Sequence, residues 1–267
     1  MIDFTRLDAV KRRRPLIHCL SNLVSANDCA NLALAAGASP IMAQAAAEAA
    51  EITAAASATV LNTGTPDGER FAVCARWGRE AARLGQPLVL DPVGVGASPW
   101  RLRETEALLE AFTPSILRVN LGEARALLQD GGRGLGVDSP APAGRKACLA
   151  AARELAARRG TVVLLSGAED VIADGGAVFL VSGGSALAAQ VTGTGCMLSV
   201  LCGVFAAVEP DMGRAAVLAA AFWKVCARRA EQAAGGRGPG SFRTALLDAA
   251  GTLTAGEFAR EAEIGTL

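Results

Sequence analysis

Short runs of β-type residues recur along this chain, with a longer helical pattern after nearly every one. That alternation constrains the fold more than any other feature. The runs fall at 16–19, 58–61, 87–90, 115–119, 161–165, 171–173 and 177–181. Strands separated by helices cross over and pair in parallel, so the pattern predicts a mainly parallel sheet covered on both faces, an α/β fold. Helix ends are readable in places. Thr65 before Pro66 predicts an N-cap with proline in the first turn, the apolar positions Phe71, Val73, Ala75, Ala81, Ala82 and Leu84 follow, and Gly85 closes the segment. A helix over 24–36 ends in the same way at Gly37. After Gly184 the pattern turns to helices alone, over 195–208, 213–234 and 241–253.

With 267 residues, 51% hydrophobic and 19% charged, the chain can bury a large core, which excludes extensive disorder. The Gly/Pro-rich stretch 129–144 reads as a surface loop rather than a boundary. One domain is therefore expected over 1–267, with 255–267 a loose tail. Lys plus Arg and Asp plus Glu both total 26, and the longest basic run is the four residues 11–14, so nucleic-acid binding has no footprint. Seven cysteines without a Cys-x-x-Cys pair read as reduced thiols in a cytoplasmic protein, with neither disulfides nor zinc. The charges within the first fifteen residues do not suit a signal peptide. Residues 175–208 carry no charge, yet Gly183, Gly184, Gln190 and the 192–195 turn break them up. What remains, 196–208, is too short to cross ~30 Å of hydrocarbon and reads as a buried helix.

Ligands of open parallel sheets gather beyond the carboxyl ends of the strands. The residues after each run here are polar: "SNLVSAND" with Asn22, "NTGT", "DPVGVGA" with Asp91, "RVNLGE" with Arg118, Asn120 and Glu123, and "SGAED" with Ser166. Asn120 and Glu123 have capping-box spacing, a structural role compatible with phosphate chemistry. Arg118 alone suits a surface ion pair as well as a phosphate contact, and Asp91-Pro92 suits a plain turn. Locally, Asn62 and Thr63 to Thr65 read as a helix cap, and the single histidine, His18, as a hydrogen-bonded strand residue. In "VTGTGCMLSV" the segment Gly193-Thr194-Gly195-Cys196 opens a helix, and its backbone NH groups can converge on one point beyond the helix end, an anion nest. Neither Gly-x-x-x-x-Gly-Lys-Ser/Thr nor a complete Gly-x-Gly-x-x-Gly is present, which removes the common P-loop and the dinucleotide fingerprint.

The stretches "HCLSNLVSANDCAN", "GASPIM", "LNTGT", "VLDPVGVGAS", "VNLGEARAL", "VTGTGCMLS" and "GPGSFRTALLDA", in this order and spacing, resemble the hydroxyethylthiazole kinases of the ribokinase-like superfamily over roughly residues 14–253. The resemblance implies a three-layer αβα fold without a lid. It implies transfer of the ATP γ-phosphoryl group to the alcohol of 4-methyl-5-(2-hydroxyethyl)thiazole in thiamine synthesis and salvage, with Mg²⁺ beside the nucleotide and a homotrimer binding the thiazole between subunits. Position by position, it implies that Met42, Gly193 and Asn22 contact the thiazole, and that Arg118, Ser166 and Asn120 lie on the ATP side. It places Asp91 and Glu123 near metal and phosphates, and Cys196 where most ribokinase-like kinases carry a catalytic aspartate. Phosphoryl transfer asks mainly for positioning and charge stabilisation, so a thiol can serve. Cys196 is expected to orient the substrate hydroxyl or accept its proton while the NH groups of Gly193, Thr194, Gly195 and Cys196 hold the phosphoryl. Its place at a helix N-terminus predicts a lowered thiol pKa. The chain departs from the family at Val119, where a glycine is usual and a β-branched side chain would crowd the nucleotide, and at Leu23, where an aromatic is common. The competing readings are a kinase for the pathway's hydroxymethylpyrimidine, a silent binding protein of the same fold, and a dinucleotide oxidoreductase.

Overall fold

The computed structural model describes residues 1–129 and 144–267. The first half runs α1 (Arg6–Arg13), β1 (Leu16–Leu20), α2 (Ala26–Ala36), β2 (Ser39–Ile41), α3 (Ala49–Ala55), β3 (Ala58–Asn62), α4 (Arg70–Arg83), β4 (Leu88–Asp91), α5 (Pro99–Ala111), β5 (Ile116–Asn120) and α6 (Leu121–Leu128). The second runs α7 (Arg145–Arg159), β6 (Val162–Ser166), β7 (Asp170–Asp174), β8 (Ala177–Ser182), α8 (Thr194–Ala206), α9 (Met212–Ala234), α10 (Pro239–Thr252), α11 (Ala255–Glu261) and β9 (Glu263–Thr266). The nine strands among the described residues form one sheet in the order β2-β1-β3-β4-β5-β6-β7-β8-β9. Pairing is parallel from β2 to β6 and antiparallel from β6 to β9.

Strand alternation divides the core between the two faces. Ile17, Val60, Val89, Ile116 and Leu164 pack under α1, α2, α8, α9, α10 and α11. Leu61, Leu88, Leu90, Leu117, Val119, Val163 and Leu165 pack under α4 to α7. The result is the αβα sandwich read from the sequence. The uncharged 196–208 stretch is most of α8, whose residues Met197 to Ala206 are all buried, and among the described residues no helix is long and apolar enough to cross a membrane.

Several expectations need correction. Thr65 is not the N-cap of α4: it takes a left-handed φ of 44°, and the Asp67 carboxylate accepts from the NH groups of Glu69 and Arg70, so the helix starts at Arg70. The strand β2 was not expected, because three half-buried residues containing Pro40 give no period; on a sheet edge the missing NH costs no ladder bond. Residues 255–267 are not a loose tail. Thr254 and Glu257 form a capping box, Phe258 is fully buried against the rings of Phe4, Phe205 and Phe222, and β9 pairs with β8. Most of the expected surface loop, 130–143, lies outside the described residues.

Candidate active site

The same alternation builds the polar rim. Two residues beyond the core positions Val60, Val89, Ile116 and Leu164 stand Asn62, Asp91, Arg118 and Ser166, so all four side chains emerge at the carboxyl end of the sheet on the face covered by α8. Register sets them side by side: Asn62 lies opposite Asp91, and Arg118 reaches across to donate to Ser166 Oγ. Val119 points to the other face, fully buried, and is not part of the cavity wall. Asn120 and Glu123 close the rim as the capping box of α6, with Glu123 Oε1 also accepting from Gly94 NH at 2.9 Å.

Over this rim sits the start of α8. Gly193 adopts φ 81°, and a Cβ there would lie 2.7 Å from Ser25 Cβ. At Gly195 a Cβ would lie 2.6 Å from the Arg118 guanidinium. Gly193 is therefore required by its left-handed φ and the close approach of Ser25, while Gly195 lets the Arg118 guanidinium lie against the nest. First-turn NH groups have no partner within their helix, so this helix start is an anion site with a guanidinium beside it. It opens on a cavity of about 610 Å³ lined by Gly193, Thr194, Gly195 and Cys196 and by Arg118, Asn120, Glu123 and Ser166.

Cys196 joins a chain of hydrogen bonds. Asn22 Oδ1 accepts from Val24 and Ser25 NH, both at 3.0 Å, which leaves the amide nitrogen facing inward. That nitrogen donates to Cys196 Sγ at 3.2 Å and to Asn62 Oδ1 at 3.0 Å. Asn62 Nδ2 donates to Asp91 Oδ2 at 2.9 Å, and Ser199 Oγ donates to the same oxygen at 2.7 Å. Asn62 and Ser199 were missed in the sequence, where they resemble a cap and a helix residue. The strand-end position of Asn62, two residues past Val60, is the signal that could have found it.

The thiol pKa expectation is overturned. Burial, and then the Asp91 carboxylate, raise the Cys196 pKa against the opposing pulls of Ser25 and Arg118, a shift opposite in direction to the one expected. Burial also raises Asp91, against the Arg118 guanidinium, and pushes Glu123 up to about 7, with Arg118 opposing and Asp91 adding to the rise.

Met42, Asn22 and Asp91 are not part of the cavity wall. Asn22 lies behind Cys196, and Met42 follows the edge strand β2, partly buried against the core. Among the described residues no three His, Cys, Asp or Glu side chains gather to hold a metal. Asp91 Oδ1 is buried without a hydrogen-bond partner, with Arg118 Nη1 3.5 Å away, and Glu123 lines the cavity. Only Glu123 reaches the cavity, while Asp91 lies buried behind its wall against Arg118, and a single carboxylate on the wall suits a hydrated divalent cation carried by phosphates, as hard ions such as Mg²⁺ usually are, rather than an all-protein cage. His18 is stacked on Trp77 and bonded to Ala43 O, away from this chemistry.

An αβα sheet with its polar rim, glycine-opened helix and anion cavity at the strand ends has the architecture of the ribokinase-like kinases. A pyridoxal kinase from Bacillus subtilis solved with ADP shares the fold at TM-score 0.62 and 16% identity, over 80% of this chain and 91% of that one. A sequence model of the hydroxyethylthiazole kinase family matches residues 7–256, and the chain belongs to that family. Hydroxyethylthiazole kinases from Listeria monocytogenes and Methanoculleus marisnigri are 42% and 43% identical over 249 and 258 residues, covering 93% and 97% of this chain and 92% and 91% of theirs. The solved hydroxyethylthiazole kinase of Pyrococcus horikoshii superposes at TM-score 0.88 with 34% identity, over 99% of this chain and 98% of that one. The protein is a kinase.

Proposed function

We propose that this kinase transfers the γ-phosphoryl group of ATP to the hydroxyl of 4-methyl-5-(2-hydroxyethyl)thiazole, in thiamine biosynthesis and salvage. The observation that carries the reading is the thiol at the head of α8, fixed by the Asn22 amide, beside a nest that Arg118 flanks. The NH groups of Gly193, Thr194, Gly195 and Cys196 grip the transferring phosphoryl, whose charge Arg118 also meets. Cys196, with its raised pKa, keeps its proton and positions the substrate hydroxyl through sulfur. A loose transition state forms most of its P–O bond late, when the attacking oxygen has become acidic, so a strong base is not required. Arg118, Ser166 and Asn120 hold the nucleotide.

Glu123, with the Asp91 carboxylate behind the wall, would hold the Mg²⁺ that accompanies ATP, and the ion would supply neutralisation of phosphate charge. The thiazole enters on the side of Asn22, Gly193 and Met42. There Leu23 and Val24 are 88% and 58% exposed, an apolar edge that a second copy of the chain would cover in the homotrimer that the family resemblance implies. The seven free thiols suit a cytoplasmic setting. A coupled assay of ADP release with the thiazole alcohol and with hydroxymethylpyrimidine tests the reading. Turnover with the thiazole is expected; turnover with the pyrimidine alone would overturn it, and with it the role of Met42.

A further inference from the structure

One buried cation is left unused by this chemistry. Lys224, midway along α9, is almost fully buried at the cavity wall. Its Nζ donates to Gly167 O at 2.7 Å and Ala168 O at 3.0 Å, and lies 3.1 Å from Asp170 Oδ1. Those acceptors are the turn between β6 and β7 and the first residue of β7. The turn follows Ser166 directly, and Gly167 and Asp170 line the same cavity. Gly184, at φ 89°, lets the chain cross the lysine stem, since a Cβ there would meet Lys224 Cδ at 2.9 Å.

An ammonium group has three donors, and three acceptors here satisfy them. None is left for a phosphate. Were the lysine to swing toward a ligand, it would abandon two carbonyls and the Asp170 carboxylate, whose Oδ2 already has no partner and whose Oδ1 would keep only Gly167 NH. A buried carboxylate stripped of its cation is far costlier than the gain of one phosphate contact, so the ammonium stays with the turn.

We infer that Lys224 is a nucleotide-positioning residue: its ammonium is a built-in cation that clamps the Gly167–Asp170 turn as one wall of the nucleotide pocket, and through Ser166 steadies Arg118. The inference rests on the cavity taking a nucleotide. It acts on binding, not on the transferring group.

The test is calorimetric titration of the full-length protein with ADP and Mg²⁺, together with steady-state kinetics. Lys224→Met is expected to raise the ADP Kd and the ATP KM about tenfold, leaving kcat at saturating ATP within about twofold, because truncating a buried charge pair is felt by what the pair holds. In Lys224→Ala, ammonium chloride is expected to recover much of the lost affinity by filling the vacated position, whereas tetramethylammonium chloride at equal ionic strength does not. Asp170→Asn, which loosens the clamp while leaving the ammonium its two carbonyls, is expected to raise the ADP Kd about threefold, and it decides the matter if the lysine variants fail to fold. Unchanged ADP affinity in the folded variants overturns the clamp, as does a collapse of kcat with Kd intact, which would put Lys224 on the reacting group. Wild-type protein that binds no ADP would overturn the nucleotide reading itself and this inference with it.

Discussion

The two ends of the cavity are built differently. At the Cys196 end, one oxygen of the buried Asp91 carboxylate is held by an amide and a hydroxyl in a chain that starts at sulfur, the other faces the Arg118 guanidinium, and the links of the chain come from separate elements: the loop after β1, β3, β4 and α8. At the Ser166 end, a buried lysine with Asp170 as its counter-charge holds the inner side of one turn, whose outer side Arg145 and Ser182 hold through Glu169. The first arrangement fixes the direction of one atom, which is what hydroxyl positioning needs; the second fixes the shape of a wall, which is what binding needs. The difference implies that turnover and nucleotide affinity can be damaged separately.

The largest separation is expected from Cys196→Ala: turnover falls by about 10²–10³ while the ADP Kd stays within about twofold, as measured by coupled kinetics and calorimetry. Equal losses in both would dissolve the distinction. Next comes a change that belongs to neither end. Burial depresses the His18 pKa to about 4 from 6.5, so its contribution to stability is complete above pH 6.5 and is lost as pH falls toward 4, about 3 kcal/mol at most. Glu123, raised to about 7, gives the opposite slope in both proteins, so the measurement is a difference: in thermal unfolding from pH 7 to 4 the wild type should lose stability relative to His18→Phe as pH falls. A smaller effect is expected from Asn62→Ala, which releases the Asn22 amide: kcat down about tenfold with ATP KM unchanged, the loss of one or two buried hydrogen bonds. Smallest is Ser166→Ala at the opposite end, a rise in ATP KM of about two- to fourfold with kcat preserved, read from initial rates.

The sequence carried more of the sheet than of the site. Strand and helix alternation placed seven of the strands and the rim positions Asp91, Arg118, Asn120, Glu123 and Ser166, because a period of two and the strand-end rule act within a few residues. Lys224 was hidden inside an apolar helix, and Ser199 inside another; only the packing of α8 and α9 on the sheet gives them acceptors. The direction of the Cys196 shift was misjudged because local sequence shows the helix start and neither the burial of the thiol nor the Asp91 carboxylate delivered by another strand. Residues 255–267 were illegible for a similar reason: Phe258 is anchored by rings near 4, 205 and 222, and four residues of β9 carry no period.

The central claim is that the head of α8 grips the phosphoryl group in flight while sulfur aims the attacking oxygen. A crystal structure with ADP, Mg²⁺, aluminium fluoride and the thiazole alcohol tests it most directly. The account predicts the planar fluoride group within hydrogen-bond distance of the NH groups at Gly195 and Cys196, with the alcohol oxygen against Cys196 Sγ. A planar group bound away from that turn, or an alcohol aimed by another side chain, would contradict it.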